Sequence, residues 1–152
     1  MELEFAIKEV ATQPAACIRT KTTIDKLGEV LGPMYGEIMG AVQLAGVAPA
    51  GMPFTRHHDR QGNDVDLECG IPMSSAIETS GRVAANELPG GRVATVTHVG
   101  PYDQLRYTWD GIMGWVQSEG LRPNGVPWEV YVDDPTKVDP TKLRTEIYVP
   151  VQ

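Results

Sequence analysis

Glu146 stands in a short apolar segment, Glu146-Ile147-Tyr148-Val149-Pro150-Val151. In an extended chain successive side chains point to opposite faces, so Glu146 and Tyr148 share one side and Ile147 and Val149 the other. If Ile147 and Val149 enter a core, a carboxylate and a phenol are left facing a groove. A carboxylate in a partly dry groove is costly unless paired, so it favours a cationic guest or takes a raised pKa. A salt bridge to Arg144 or Lys142, or plain exposure on a strand edge, is its alternative fate. Aromatic residues crowd into the same part of the chain: Tyr107, Trp109, Trp115, Trp128 and Tyr131. Aromatic faces attract cations, each contact contributing about 0.5–2 kcal/mol. A few flat rings and one acid suffice to hold planar organic cations. Core packing competes for the same rings, and for Met34, Met39, Met52 and Met113, whose flexible side chains suit either use.

Other chemistries find little support. His57 and His58 are adjacent, so a regular strand sends them to opposite faces, and His98 stands alone. No spacing resembles a metal-ligand set, so no metal is expected. There is no nucleophile elbow and no phosphate-cradling loop, so no cofactor is expected either.

The chain repeats itself. Gly46-Val47-Ala48-Pro49-Ala50-Gly51-Met52-Pro53-Phe54 returns 74 residues later as Gly120-Leu121-Arg122-Pro123-Asn124-Gly125-Val126-Pro127-Trp128. Glu68-Cys69-Gly70-Ile71-Pro72 returns after 78 residues as Glu146 to Pro150. The spacing predicts a single domain over 1–152 made of two copies, about 1–76 and 77–152. At the 74-residue spacing Phe54, Tyr35 and His57 match Trp128, Trp109 and Tyr131. Glu68 is the mate of Glu146, with Gly70 where the second copy has Tyr148.

Apolar periodicity predicts the elements that carry these residues. Strands are expected at Leu3–Val10 and Ala15–Thr20, then a short helix or turn to Leu31. The main helix follows from Pro33 to Leu44, interrupted before Pro33 because a proline suits a first turn. Gly46 stops it. Strands Phe54–His58 and Val65–Ile71 follow, joined by the polar run Asp59 to Asp64. The second copy reads as strands Arg82–Leu88 and Arg92–Val99 around Pro89-Gly90-Gly91, a helix from Gly100-Pro101 to Ser118, and strands Trp128–Val132 and Leu143–Val151. The fold class is α+β: a duplicated β-α-β-β unit, an antiparallel sheet, two main helices and a central pseudo-twofold groove.

The formal net charge is −7 and the pI near 4.9, with no Lys/Arg cluster. An acidic surface repels phosphate backbones, so direct nucleic-acid binding is not expected. It draws cations, besides keeping a protein soluble. No apolar run reaches membrane-spanning length, and Met1-Glu2-Leu3-Glu4 lacks the cationic start of a secretory leader. Cys17 and Cys69 form no CxxC pair, which fits reduced thiols in a cytoplasmic protein.

The second copy, from Gly91-Arg92-Val93-Ala94 through Val96-Thr97-His98-Val99-Gly100-Pro101-Tyr102, Gly125-Val126-Pro127 and Thr145 to Val151, resembles the GyrI-like family. This is the effector-binding domain also found behind the DNA-binding regions of AraC-type and BmrR-type regulators. The resemblance covers essentially the whole chain and rests on the order and spacing of its motifs. It implies two β-α-β-β units around a groove for organic molecules, often lipophilic aromatic cations, with an acidic residue at the position of Glu146. With no room for a helix-turn-helix module, it implies a stand-alone member. The ligand-binding set expected is Glu146, Tyr148, Trp109, Trp128, Tyr131, Tyr107, Phe54, Tyr35, Glu68 and His57. The family also includes hydrolases that open cyclopropane rings of DNA-alkylating natural products. In that reading Glu146 is a general base, and Tyr107 or Tyr131 donates a proton or orients substrate. A gyrase-binding stress protein is a third implied role. Nothing beyond the acid and the rings spells out catalysis, so multidrug-like binding is the reading favoured here.

Overall fold

The computed structural model describes residues 3–152; Met1 and Glu2, which open the acidic N-terminal run, lie outside the described residues. The elements are β1 (Ala6–Val10), β2 (Gln13–Thr23), α1 (Leu27–Ala45), β3 (Phe54–Gln61), β4 (Asp64–Pro72), β5 (Ala84–Leu88), β6 (Gly91–Val99), α2 (Leu105–Ser118), β7 (Trp128–Tyr131) and β8 (Arg144–Pro150). All strand pairing described is antiparallel, and the class is α+β, as the periodicity predicted.

Two compact units form. One is Ala11–Gly90; the other joins the residues up to Val10 with Gly91–Gln152. The first holds the strand order β3-β4-β2-β5, the second β1-β6-β8-β7. Register displays the duplication pair by pair. Phe54 faces Gly70 and Arg56 faces Glu68 in the first unit. Trp128 faces Tyr148 and Val130 faces Glu146 in the second. The outer strands obey the same spacing: Ala84 of β5 meets Cys17, and Ala6 of β1 meets Thr95. The first strand of each sequence repeat is thus housed in the unit built from the other repeat's remaining strands.

Each helix covers one face of its own sheet. In the first unit Met34, Ile38 and Val42 of α1 pack on Ala16, Ile18, Cys69 and Ile71, with Met39 alongside. In the second, Ile112 and Val116 of α2 pack on Ala94, Val96, Ile147 and Val149. Phe5 stacks on Trp115 there, ring centroids 5.4 Å apart. Met34 and Met39 are therefore core residues, whereas Met52 and Met113 are exposed.

Two local expectations are corrected. The helix is not interrupted at Gly32-Pro33: α1 runs unbroken from Leu27 to Ala45 with Pro33 inside it. Proline there removes one intrahelical hydrogen bond. The buried row Met34, Ile38 and Val42 is contiguous beyond it and holds the helix against the sheet. Gly46 ends it as expected, at φ 68°, its N–H reaching Val42 O and Gln43 O. Space around Gly36, also inside α1, is open. Gly36→Ala should therefore raise unfolding free energy by about 1 kcal/mol, the helix-interior difference between the two residues, checked by denaturant titration.

The second correction concerns β3 and β4. The polar run Asp59 to Asp64 is not a loop. Both strands extend through it and turn at Gly62-Asn63, with Gly62 at φ 61°. A register shift between His57 and Asp59 breaks the alternation around His58. The shift brings His58 to Glu68, the acid Arg56 also meets.

Candidate functional site

The unit that contains α2 carries its chemistry on two faces. Ile147 and Val149 enter the core beneath α2. Alternation then leaves Glu146 and Tyr148 on the opposite face, as the sequence pattern required. Tyr148 donates its phenol to Glu146 Oε1 at 3.2 Å. Trp128 lies across from Tyr148, and the two rings stack at 5.4 Å and 11°. Burial, then the nearby Glu146 carboxylate, pushes the Tyr148 phenol up to about 12. It stays protonated and remains a donor. The salt bridge open to Glu146 does not form with Arg144, which instead grips Asp133 through two nitrogens.

The face beneath α2 holds a second acid that sequence reasoning passed over. Glu129 lies in β7 between Trp128 and Val130 and is only 6% exposed. Trp109, on α2, donates its indole N–H to Glu129 Oε1 at 2.6 Å. Tyr131, two residues on and so on the same face, donates to Oε2 at 3.2 Å. Tyr102 stands edge-on to the Tyr131 ring, centroids 5.9 Å apart. Burial and then the negative charge of Glu129 hold the Tyr102 phenol above its ordinary pKa. One carboxylate thus accepts from an indole and a phenol, with a second phenol edge-on to the first, and the charge-assisted hydrogen bonds fix it in place.

His98 organises the entry to this cluster. It is fully buried, and its Nε2 lies 3.0 Å from the Pro101 carbonyl. A carbonyl only accepts, so Nε2 carries the proton, and Nδ1 accepts from the Thr108 hydroxyl at 2.6 Å. The imidazole therefore pins the Gly100-Pro101 turn, next to Tyr102, onto α2.

The predicted residues divide accordingly. Trp109 and Tyr131 converge on Glu129; Tyr148 bonds Glu146, and Trp128 stacks on Tyr148. Tyr107 joins neither group and is 61% exposed on α2. Of the two proton donors a hydrolase would draw on, Tyr131 gives its hydroxyl to Glu129.

The first unit holds the remaining predicted residues. Tyr35 donates to the Phe54 carbonyl at 2.7 Å and contacts Thr55 Oγ1 at 2.9 Å. This matches Trp109 and Glu129 at the 74-residue spacing, with a threonine in place of the acid. Phe54 lies over Gly70, filling the space that Tyr148 occupies in the second copy: a Cβ at Gly70 would come within 2.4 Å of the Phe54 ring. His57 lies in β3 beside the bulge. Glu68 is buried and fully engaged by Arg56 at 3.2 Å, His58 at 2.8 Å and Asn86 at 2.6 Å. Burial pushes its pKa up, but the bonds from His58 and Asn86 and the Arg56 charge outweigh it and hold the carboxyl below the usual range. This acid is neutralised from within the fold and has little left to offer a ligand.

A surface hollow of about 420 Å³ beside Lys21, Asp59, Asp64 and Asp66 contains none of the predicted residues. Among the described residues no group of three or more His, Cys, Asp or Glu is arranged to hold a metal ion. Nor is any helix among them long and apolar enough to cross a membrane.

The signal for Glu129 was present in Trp128-Glu129-Val130-Tyr131. Alternation alone puts Glu129 beside Tyr131, a residue already chosen. The repeat does not mark it, because Thr55 stands in the first copy where Glu129 stands in the second.

Comparison with known proteins accords with this architecture. The chain is 31% identical over 85 residues to the probable transcriptional regulator YgiV of Escherichia coli K12, a match covering 55% of this chain and 53% of YgiV. It is similar to the crystal structure of the EcmrR C-terminal domain, with a TM-score of 0.89 and 26% identity over 100% of this chain and 99% of that domain. In the EcmrR–DNA complex the match covers only 57% of the EcmrR chain. The chain thus spans little more than half the length of these regulators. The fold also matches SAV2435, solved bound to tetraphenylphosphonium, with a TM-score of 0.67 and 14% identity over 98% of this chain and 94% of that one. The model of one family, described as a GyrI-like small molecule binding domain, matches residues 3–152, and the chain belongs to that family.

Proposed function

We propose that this domain binds amphipathic aromatic cations, with Glu129 as the charge partner and Trp109, Tyr131 and Tyr102 as the aromatic walls. The observation that carries the reading is the burial of the Glu129 carboxylate beneath indole and phenol rings. A buried anion is costly in an apolar setting, and an organic cation offsets that cost while its apolar rim covers the aromatic faces. Tetraphenylphosphonium, the ligand named for SAV2435, has this chemistry, which supports the reading. Glu146, bonded to Tyr148 on the opposite face, offers a weaker alternative, because it is only half-buried and water offsets more of its charge.

The test is titration of the protein with tetraphenylphosphonium, followed by tryptophan fluorescence and calorimetry. Saturable one-site binding with a change in Trp109 emission, lost in Trp109→Phe, is the expected result. Binding that leaves Trp109 emission unaffected would move the site elsewhere, and no binding would remove the cation reading.

A further inference from the structure

Thr145 is fully buried, yet no described group makes a hydrogen bond to its hydroxyl. Across β7–β8 it is paired with Tyr131, and across β6–β8 with His98. Directly opposed residues share a face, so Tyr131, Thr145 and His98 form a polar row across three strands beneath α2. Both ends of the row are satisfied. Tyr131 donates to Glu129, and His98 uses both ring nitrogens. The middle is not. Native folds pair nearly all such groups, so an orphan hydroxyl next to a binding residue signals an occupant.

We propose that Thr145 Oγ1 is a hydrogen-bonding anchor at the inner end of the Glu129 site, taking an amine, hydroxyl or carbonyl of the bound cation. The inference rests on the Glu129 reading and deepens it to a ligand class. Glu129 and Thr145 are diagonal neighbours on paired strands, a separation of about 7–8 Å. Among aromatic cations the site then prefers those whose hydrogen-bonding group stands about that far from the charge over those clad entirely in hydrocarbon. The half-buried Tyr131 ring lies beside Thr145. A cation that takes over the Glu129 carboxylate releases Tyr131, the cross-strand partner of Thr145, from its 3.2 Å bond and frees its side chain to move.

Two probes separate the possibilities. Ethidium carries aryl amines several ångströms from its cationic nitrogen; tetraphenylphosphonium has no hydrogen-bonding group. Both are titrated by calorimetry into the unaltered chain, Thr145→Val and Thr145→Ser. Thr145→Val should weaken ethidium by about five- to tenfold, the scale of one neutral hydrogen bond, and leave tetraphenylphosphonium within about twofold. Thr145→Ser, which keeps the hydroxyl, should retain the preference. Without ligand, Thr145→Val should melt no lower than the unaltered chain, because it removes an unsatisfied group. Parallel changes for both probes, no change for either, or a lower melting temperature in Thr145→Val would overturn the proposal, the last by showing that a resident water or protein group already satisfies the hydroxyl. If neither probe binds the unaltered chain, the Glu129 reading falls and this one with it. If both bind and Thr145→Val fails to discriminate, only the anchor falls.

Discussion

Glu129→Gln should lower affinity for tetraphenylphosphonium by on the order of 100-fold, read by calorimetry at fixed ionic strength. Glutamine keeps the shape of the side chain and can still accept the Trp109 N–H, so the local fold persists while the charge is lost. A unit charge paired with a cation several ångströms away in a partly dry site contributes about 3 kcal/mol, and each 1.4 kcal/mol is tenfold. Glu146→Gln is the internal control. Glu146 lies on the opposite face of the sheet, bonded to Tyr148, and its replacement should change affinity by less than about threefold. The reverse ranking of the two variants would transfer the site to the Trp128–Tyr148 face.

The largest effect on stability is expected at Glu68. Glu68→Ala should cost about 3 kcal/mol of unfolding free energy in denaturant titration, because it leaves Arg56 buried without its anion and strips His58 and Asn86 of their acceptor. The same cluster sets part of the acid stability. Its folded pKa is depressed, so the stability it contributes is fully present above the ordinary carboxylate pKa. That contribution is lost as pH falls through the depressed value. The unaltered chain should therefore show a steeper loss below about pH 4 than Glu68→Gln, which has no proton to bind there. Identical acid limbs would show that the Arg56–Glu68–His58 cluster contributes nothing to the acid transition.

Much of the architecture was legible because the chain states it twice. The glycine and proline positions in the two long loops and the matched strand ends carried the duplication into register. Cross-strand partners in one unit predict those in the other, at 74-residue spacing for β3 and β7 and 78 for the other strands, down to Ala6 and Ala84 on the edge strands. Helix α1 was misjudged at Pro33, where a local rule about proline met a buried row that only packing reveals. The β3–β4 hairpin was misjudged because polar composition reads as loop, whereas a cross-strand ladder accepts Asp59 and Asp64 at an exposed edge.

For the site, the residue types and the alternation of Glu146 with Ile147 followed from the sequence alone, because strand geometry has a period of two. The sequence also determined that the acids and rings of the second copy would concentrate in one half. Which acid lies under which rings was decided by tertiary structure. Trp109 reaches Glu129 because α2 packs on β6 and β8, on the side opposite Glu146, and its indole extends to β7. The different fates of the two matching glutamates were decided there too. Glu68 is neutralised because the bulge at His58 adds a second donor to the Arg56 pair, whereas Glu146 meets a phenol. Periodicity reports the face on which a side chain lies; only packing determines what stands opposite it.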